Sequence, residues 1–426
     1  MPSFRLKENK LPSGLRTVLL PRAEGETVTF LVLVGVGSRY ETPKQSGLSH
    51  FLEHMFFKGT EKRPTAKEIA EAVDGVGGEM NAFTGEEYTG YYVKVAAKHV
   101  NRAADVVSDI LLKPLFPQEE IDRERGVITE EIRMYTDTPM RHIWHLWHEA
   151  LFGKAHPLGR RIDGSEETVA AFMRPDFVSY TGKHYQAGNA VVTVAGKFDP
   201  AKMSTRLATL FADLPDGAGT HPKKAPGKQP AKRFVHEHRG HLDQTHLMIG
   251  APGVAQGAAD RYAAEVLATI LGSGMSSRLF MAVRERNGLA YSVRTGSDNF
   301  TDTGSFTTQA GVRTDKAAQA LQLIVAEYDR IMEEPVGQHE LNKAKQMLRG
   351  QMLLGLEETN ALALYAGMQT LLRKKITKPN EVLKKIDAVT PAAVQKVAQR
   401  LLAPKKRAVA LLGPQKSTKA FEKLLH

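Results

Sequence analysis

The chain has 426 residues, 42% hydrophobic and 25% charged, an ordinary soluble composition on a length that exceeds one hydrophobic core, so two domains of roughly 200 residues are expected. It contains no cysteine, which excludes disulfides, thiolate nucleophiles and cysteine-type zinc sites and leaves His, Asp and Glu to hold any metal. The net charge of +11 is uneven: residues 1–213 hold 27 Lys+Arg against 28 Asp+Glu, net −1, and residues 214–426 hold 31 against 19, net +12. That surplus is scattered without aromatic interleaving or a nucleic-acid motif, so it reads as a solvated basic face.

The first twenty residues lack the apolar core and small-residue cleavage site of a secretory signal, so the expected location is the cytoplasm, or an organelle or periplasm after processing. No apolar run approaches the roughly 18 residues of a membrane span. A strand is expected near 28–36, followed by a helix over 46–57. In that helix Leu48, Phe51, Leu52 and Met55 recur at i, i+3, i+4 and i+7, an apolar stripe that faces a core. At about 100° per residue, His50, Glu53 and His54 cluster on the opposite face. Two histidines at i and i+4 can chelate one ion, and a carboxylate between them can reach a water at that ion.

A second helix near 65–75, strands near 79–84 and 90–96 and a helix near 98–112 follow. In IDRERGVITEEIRMY, Glu124 and Glu131 stand seven residues apart on one side of a helix beside Val127, Ile128 and Tyr135, where a carboxylate needs a partner or a cation. From spacing alone, a salt bridge explains Glu131 as well as a metal does. The histidine-rich RHIWHLWHEALFGKAHP spreads His142, His145 and His148 around a helix and is expected to pack rather than bind metal. Its His148-Glu149 pair lacks the second histidine of HExxH.

Residues 214–233, LPDGAGTHPKKAPGKQPAKR, form a Pro/Gly/Lys linker. It divides the chain into a first domain, 1–213, and a second, 234–426. The second half repeats the order of the first: strand 243–250, helices 258–271 and 276–286, strands 289–298 and 304–311, helix 314–332, and finally a closing strand and terminal helix. That repetition suggests a duplication. The expected fold is α+β, two homologous halves, each a mostly antiparallel sheet packed with helices. The glycine-rich GVGSRYE and LGSGMSSRLF lack phosphate-loop spacing and read as helix-entry loops.

HFLEHMFFKGT, GGEMNAFTGEEYTGYYVKV, the glutamate Glu131 seventy-seven positions after His54, and RERNGLAYSV together resemble the pitrilysin family of zinc peptidases, the inverzincins. The resemblance implies that His50, His54 and Glu131 bind one zinc ion and that Glu53 is the general base. It makes Glu124 the acidic residue that backs a zinc ligand. Asn81, Ala82 and Phe83 match the edge strand to which an extended peptide adds. Arg284 and Tyr291 match an Arg–Tyr pair that holds the substrate carbonyl. The chain is half the length of the largest members and resembles the half-length, processing-peptidase type. A homodimer is therefore implied, each site completed in trans by the other subunit's second domain and acting on peptides or unfolded segments. The rival is a non-catalytic assembly or presequence-binding subunit of the same fold.

Overall fold

The structure, a computed structural model, describes residues 5–230 and 233–425; positions 231 and 232 of the expected linker lie outside them. Two compact units are present. The first comprises residues 1–132, 161–223 and 353–378, and the second 133–160, 224–352 and 379–426.

In the first unit, strands β1 (Lys7–Lys10), β2 (Arg16–Pro21), β3 (Thr27–Val34), β4 (Glu79–Thr84), β5 (Thr89–Ala96) and β6 (Ala190–Gly196) form one sheet in the order β1-β2-β6-β3-β5-β4. Only β2 and β6 pair in parallel. In the second, β7 (Phe234–His238), β8 (Gln244–Pro252), β9 (Ala290–Asn299), β10 (Gly304–Arg313) and β11 (Ala408–Gly413) run β7-β11-β8-β10-β9, with β7 and β11 the parallel pair. Five strands thus share one order and one pattern of orientation in both halves, as expected of a duplicated α+β fold.

Both sheets are buried on both faces, which is why β3, β6 and β11 are nearly continuous apolar runs. On β3, Phe30, Val32 and Val34 face a core shared with the helices Leu48–Met55, Val100–Leu112 and Gln118–Asp137, whereas Leu31 and Leu33 face the opposite way. The second face is covered by the helix Thr359–Met368, through Leu362, Ala363 and Ala366. Gly367 lets this helix approach closely, because a Cβ there would stand 2.7 Å from the Leu33 side chain and 2.8 Å from Thr193 Oγ1. In the second unit the corresponding face packs against the helix Pro139–Phe152, whose Trp147 indole donates to Ser305 Oγ at 2.9 Å.

These two helices correct the expected boundaries. Residues 133–160 belong to the second unit and 353–378 to the first, so neither unit is a contiguous half of the chain. In each unit the sheet face turned away from the half's own core helices is apolar, and a helix from the other half of the sequence covers it. A further correction concerns 276–286, expected as an ordinary helix: Phe280–Glu285 is a π-helical turn, with Arg286 N–H bonding Met281 C=O at 3.0 Å.

The core also sets a pH dependence of stability. His184 ends the helix Arg174–His184, is 1% exposed, lies 4.5 Å from the Tyr180 ring and meets Thr220 Oγ1 at 3.2 Å through Nδ1. Burial, with Lys183 adding repulsion, lowers its pKa from 6.5 to about 4. Between those values the unfolded chain binds a proton that the folded chain refuses, so His184 lowers stability progressively as pH falls from 6.5 towards 4. Denaturant midpoints across this window should fall less steeply in His184→Gln than in the wild type; equal slopes would exclude the assignment.

Candidate metal centre

The site is built on the helix Leu48–Met55, which buries Leu48, Phe51, Leu52 and Met55 and turns His50, Glu53 and His54 outward. Its first residue follows Gly47 at φ 95°, without a side-chain cap from that position. A Cβ on Gly47 would stand 2.8 Å from the Asp163 carbonyl oxygen. The missing cap comes from elsewhere: Glu41, 3% exposed, accepts the backbone N–H groups of Gly47 at 2.9 Å and Ser49 at 2.7 Å. A carboxylate there satisfies otherwise orphaned donors and favours the positive end of the helix.

Glu131 approaches from the helix Gln118–Asp137. Its Oε2 lies 3.7 Å from His50 Nε2 and 3.5 Å from His54 Nε2, and one donor atom from each of the three residues lies within 4.8 Å of the others. Two donors each about 2.0–2.1 Å from a tetrahedral ion stand about 3.3–3.4 Å apart. The two separations from Glu131 lie slightly above this value, near those across a shared ion, and are too long for direct hydrogen bonds. This geometry supports the metal reading of Glu131, because Glu131 faces two imidazole nitrogens rather than a Lys or Arg. Among the described residues, no other group of three or more His, Asp or Glu converges in this way.

Glu124 is almost fully buried beside the same site. Its Oε1 meets His54 Nδ1 at 2.8 Å, and its Oε2 is bound by Lys58 Nζ. Burial pushes the Glu124 carboxyl up, but the bonds from His54 and Lys58 outweigh it and leave the pKa below the usual value. The His54 ring feels burial first, which lowers its pKa, yet Glu124 and the surrounding carboxylates raise it overall. With Glu124 ionised, the neutral form of His54 keeps its proton on Nδ1, which leaves the Nε2 lone pair for a metal ion. For His50, burial and then the charge of His54 lower the pKa, favouring the neutral ring.

Glu53 accepts the Thr84 hydroxyl at Oε2. Burial raises its pKa, against the lowering effects of Thr84 and His54. Thr84 ends β4, the edge strand that also carries Asn81, Ala82 and Phe83. These three pair with Tyr92, Tyr91 and Gly90 on the inner side, and among the described residues the outer edge of β4 has no strand partner. Lys58, Thr84 and Glu41 were not singled out from sequence. Lys58 stands four residues after His54 and Thr84 two after Ala82, so helical and strand periods carried a signal for both. Glu41 carried none.

Arg284 and Tyr291 lie in the second unit and are brought together there. Arg284 Nη1 donates to the Tyr291 carbonyl at 2.8 Å, and its guanidinium sits over the rings of Phe280 at 4.7 Å and Tyr291 at 5.3 Å. Tyr291, 80% exposed, stands on the edge strand β9. In the histidine-rich segment His142, on the helix Pro139–Phe152, meets Glu237 Oε2 at 2.7 Å through Nε2, and His156, beyond the helix end, donates from Nε2 to the Lys224 carbonyl at 2.8 Å.

Residues 16–164 match the family described as insulinase (peptidase family M16), and residues 171–348 match the one described as peptidase M16 inactive domain. Across 97% of its length the chain is 37% identical to an uncharacterized zinc protease of Streptomyces coelicolor, covering 91% of that protein. The chain belongs to peptidase family M16. Another M16 relative, an uncharacterized zinc protease of Bacillus subtilis, is 34% identical over 96% of this chain and 98% of its own. The fold is shared with the crystal structure of a protease from Helicobacter pylori, with TM-score 0.89, 23% identity, and coverage of 97% of this chain and 100% of that one. His50, Glu53, His54, Glu124 and Glu131 all fall in the insulinase match, and Arg284 and Tyr291 in the one called inactive. No helix among the described residues is long and apolar enough to cross a membrane.

Proposed function

We propose that this M16 chain is a zinc-dependent endopeptidase acting on peptides or unstructured protein segments. The observation that carries the proposal is the convergence of His50, His54 and Glu131, with Glu131 Oε2 at 3.7 and 3.5 Å from the two Nε2 atoms and the Glu53 carboxylate on the histidines' own helix. When bound there, one zinc ion supplies a Lewis acid that polarises a carbonyl and makes water a stronger nucleophile near neutral pH. Glu53 takes the proton from the attacking water and returns it to the departing amine. Thr84 occupies Oε2 and so directs Oε1 to that task. A carboxyl whose pKa is raised by burial is a better proton acceptor than a solvated one.

The open edge of β4, through Asn81, Ala82 and Phe83, lets a substrate backbone pair as an added strand, which recognises extended chains with little dependence on sequence. Arg284 and Tyr291 supply donors for the carbonyl oxygen as negative charge develops. In a homodimer this pair comes from the second subunit. The half-length chain with both motifs supports that arrangement, and the match called inactive suits a part that binds substrate without holding metal.

The test is hydrolysis of an unstructured peptide pool by the purified protein, with bound metal counted per chain. One zinc per chain is expected, with activity lost on chelation and restored by zinc. Mixing Glu53→Gln with Arg284→Ala protein should recover part of the activity that each lacks, because a mixed dimer keeps one intact site. No recovery from exchanged subunits would sink the completion in trans.

A further inference from the structure

Lys58 touches none of the three residues that converge for metal, yet it is tied to them by two short contacts. It follows His54 by four residues, just beyond the helix end, where its N–H closes a tight turn on the Met55 carbonyl at 3.2 Å. Its ammonium binds Oε2 of Glu124, whose Oε1 meets His54 Nδ1 at 2.8 Å. The side chains of Lys58 and Glu124 are 23% and 5% exposed, so water does little to screen this pair or to replace Lys58 on Oε2.

We propose that Lys58 is a positioning residue of the metal centre, fixing the Glu124 carboxylate so that only Oε1 is available to His54 and the His54 Nε2 lone pair is aimed at the ion. A carboxylate held by one oxygen alone can rotate about its last bond. Held at both, it cannot, and the plane of the imidazole is set with it. Hydrogen-bond partners behind a metal-bound histidine govern affinity by about 10–100-fold, and Lys58 acts one contact further out.

A contrary effect makes the proposal decisive. Three carboxylates, Glu53, Glu124 and Glu131, surround the site, and Lys58 is the cation bound among them. If Lys58 acted only as a charge, its removal would leave the site more negative and a dication would bind more tightly. A positioning role predicts the opposite sign.

This inference rests on the zinc reading, so zinc affinity of the full chain is measured by chelator competition, independently of hydrolysis. Lys58→Met is expected to bind zinc about tenfold more weakly than the wild type, and Lys58→Arg to restore most of the loss. In a Glu124→Gln background, Lys58→Met should change affinity less than twofold, because the contact through which it acts is weakened already. Thermal melts of the zinc-free proteins separate a folding defect from a site defect, and Lys58→Gln provides a second removal of the charge. Tighter or unchanged zinc binding in Lys58→Met, or an equal loss in both backgrounds, overturns the proposal. A wild type that binds zinc without cutting peptides would refute the peptidase reading and leave this one standing; a wild type that binds no zinc removes both.

Discussion

Glu53→Gln is expected to retain zinc at the wild-type level and to lose peptide hydrolysis by about 10²–10⁴-fold, the range that a positioned general base contributes. The amide keeps the shape of the carboxylate and can still accept the Thr84 hydroxyl, so the helix Leu48–Met55 and its packing are undisturbed. What it loses is the ability to take a proton. The loss should appear in kcat at unchanged metal content, because Glu53 acts in the chemical step and is not among the three converging donors. Steady-state kinetics with metal analysis on the same preparations is the measurement, and near-wild-type turnover by the metal-loaded variant would refute the assignment of Glu53 as base.

The second large effect is expected at Glu131. Its carboxylate has two imidazole nitrogens at 3.5 and 3.7 Å, too long for direct hydrogen bonds and suited to an ion between them. Glu131→Gln should therefore lower zinc affinity by more than the roughly 10–100-fold attached to partners one layer out, and hydrolysis should disappear with the metal. A stability signature accompanies it. Zinc that binds only the folded chain raises the melting temperature with concentration; the wild type should show that rise and Glu131→Gln should show little of it. Were Glu131 merely one side of a salt bridge, the variant would melt lower without zinc and keep the zinc-dependent rise.

These two outcomes separate the peptidase from a scaffold of the same fold. A scaffold needs the sheets and helices but not a proton acceptor beside the metal. It would tolerate Glu53→Gln in every measurable respect.

Much of the site was legible in the sequence because helices convert spacing into geometry. Four apolar residues at i, i+3, i+4 and i+7 place a helix on a core, and the same 100° step sets His50, Glu53 and His54 on the other face. The absence of cysteine restricts the donors to His, Asp and Glu. Glu124 and Glu131, seven apart, share a helix side for the same reason. The repeated order of strands and helices announces two similar sheets, and the short turn between β4 and β5 places them as neighbours.

Periodicity records which face of an element is buried, but not what buries it. Val18, Leu31, Leu33 and Val191 form an apolar face that the helix Thr359–Met368, with Leu371 and Ile376 after it, covers, more than 160 residues away in sequence, and no local pattern names that partner. The same ambiguity hid the destination of Pro139–Phe152, so a division at the linker misassigned both segments. Glu41 capping Gly47 and Ser49, Thr84 holding Glu53, and the approach of Glu131 to His50 and His54 are likewise long-range facts. They depend on how separate elements pack, since a side chain's charge and donors are written in the sequence while its neighbours are chosen by the shape of the whole core. Sequence alone thus determined the candidate donor types, their order along the chain and the faces they occupy; tertiary structure decided which oxygens and nitrogens meet.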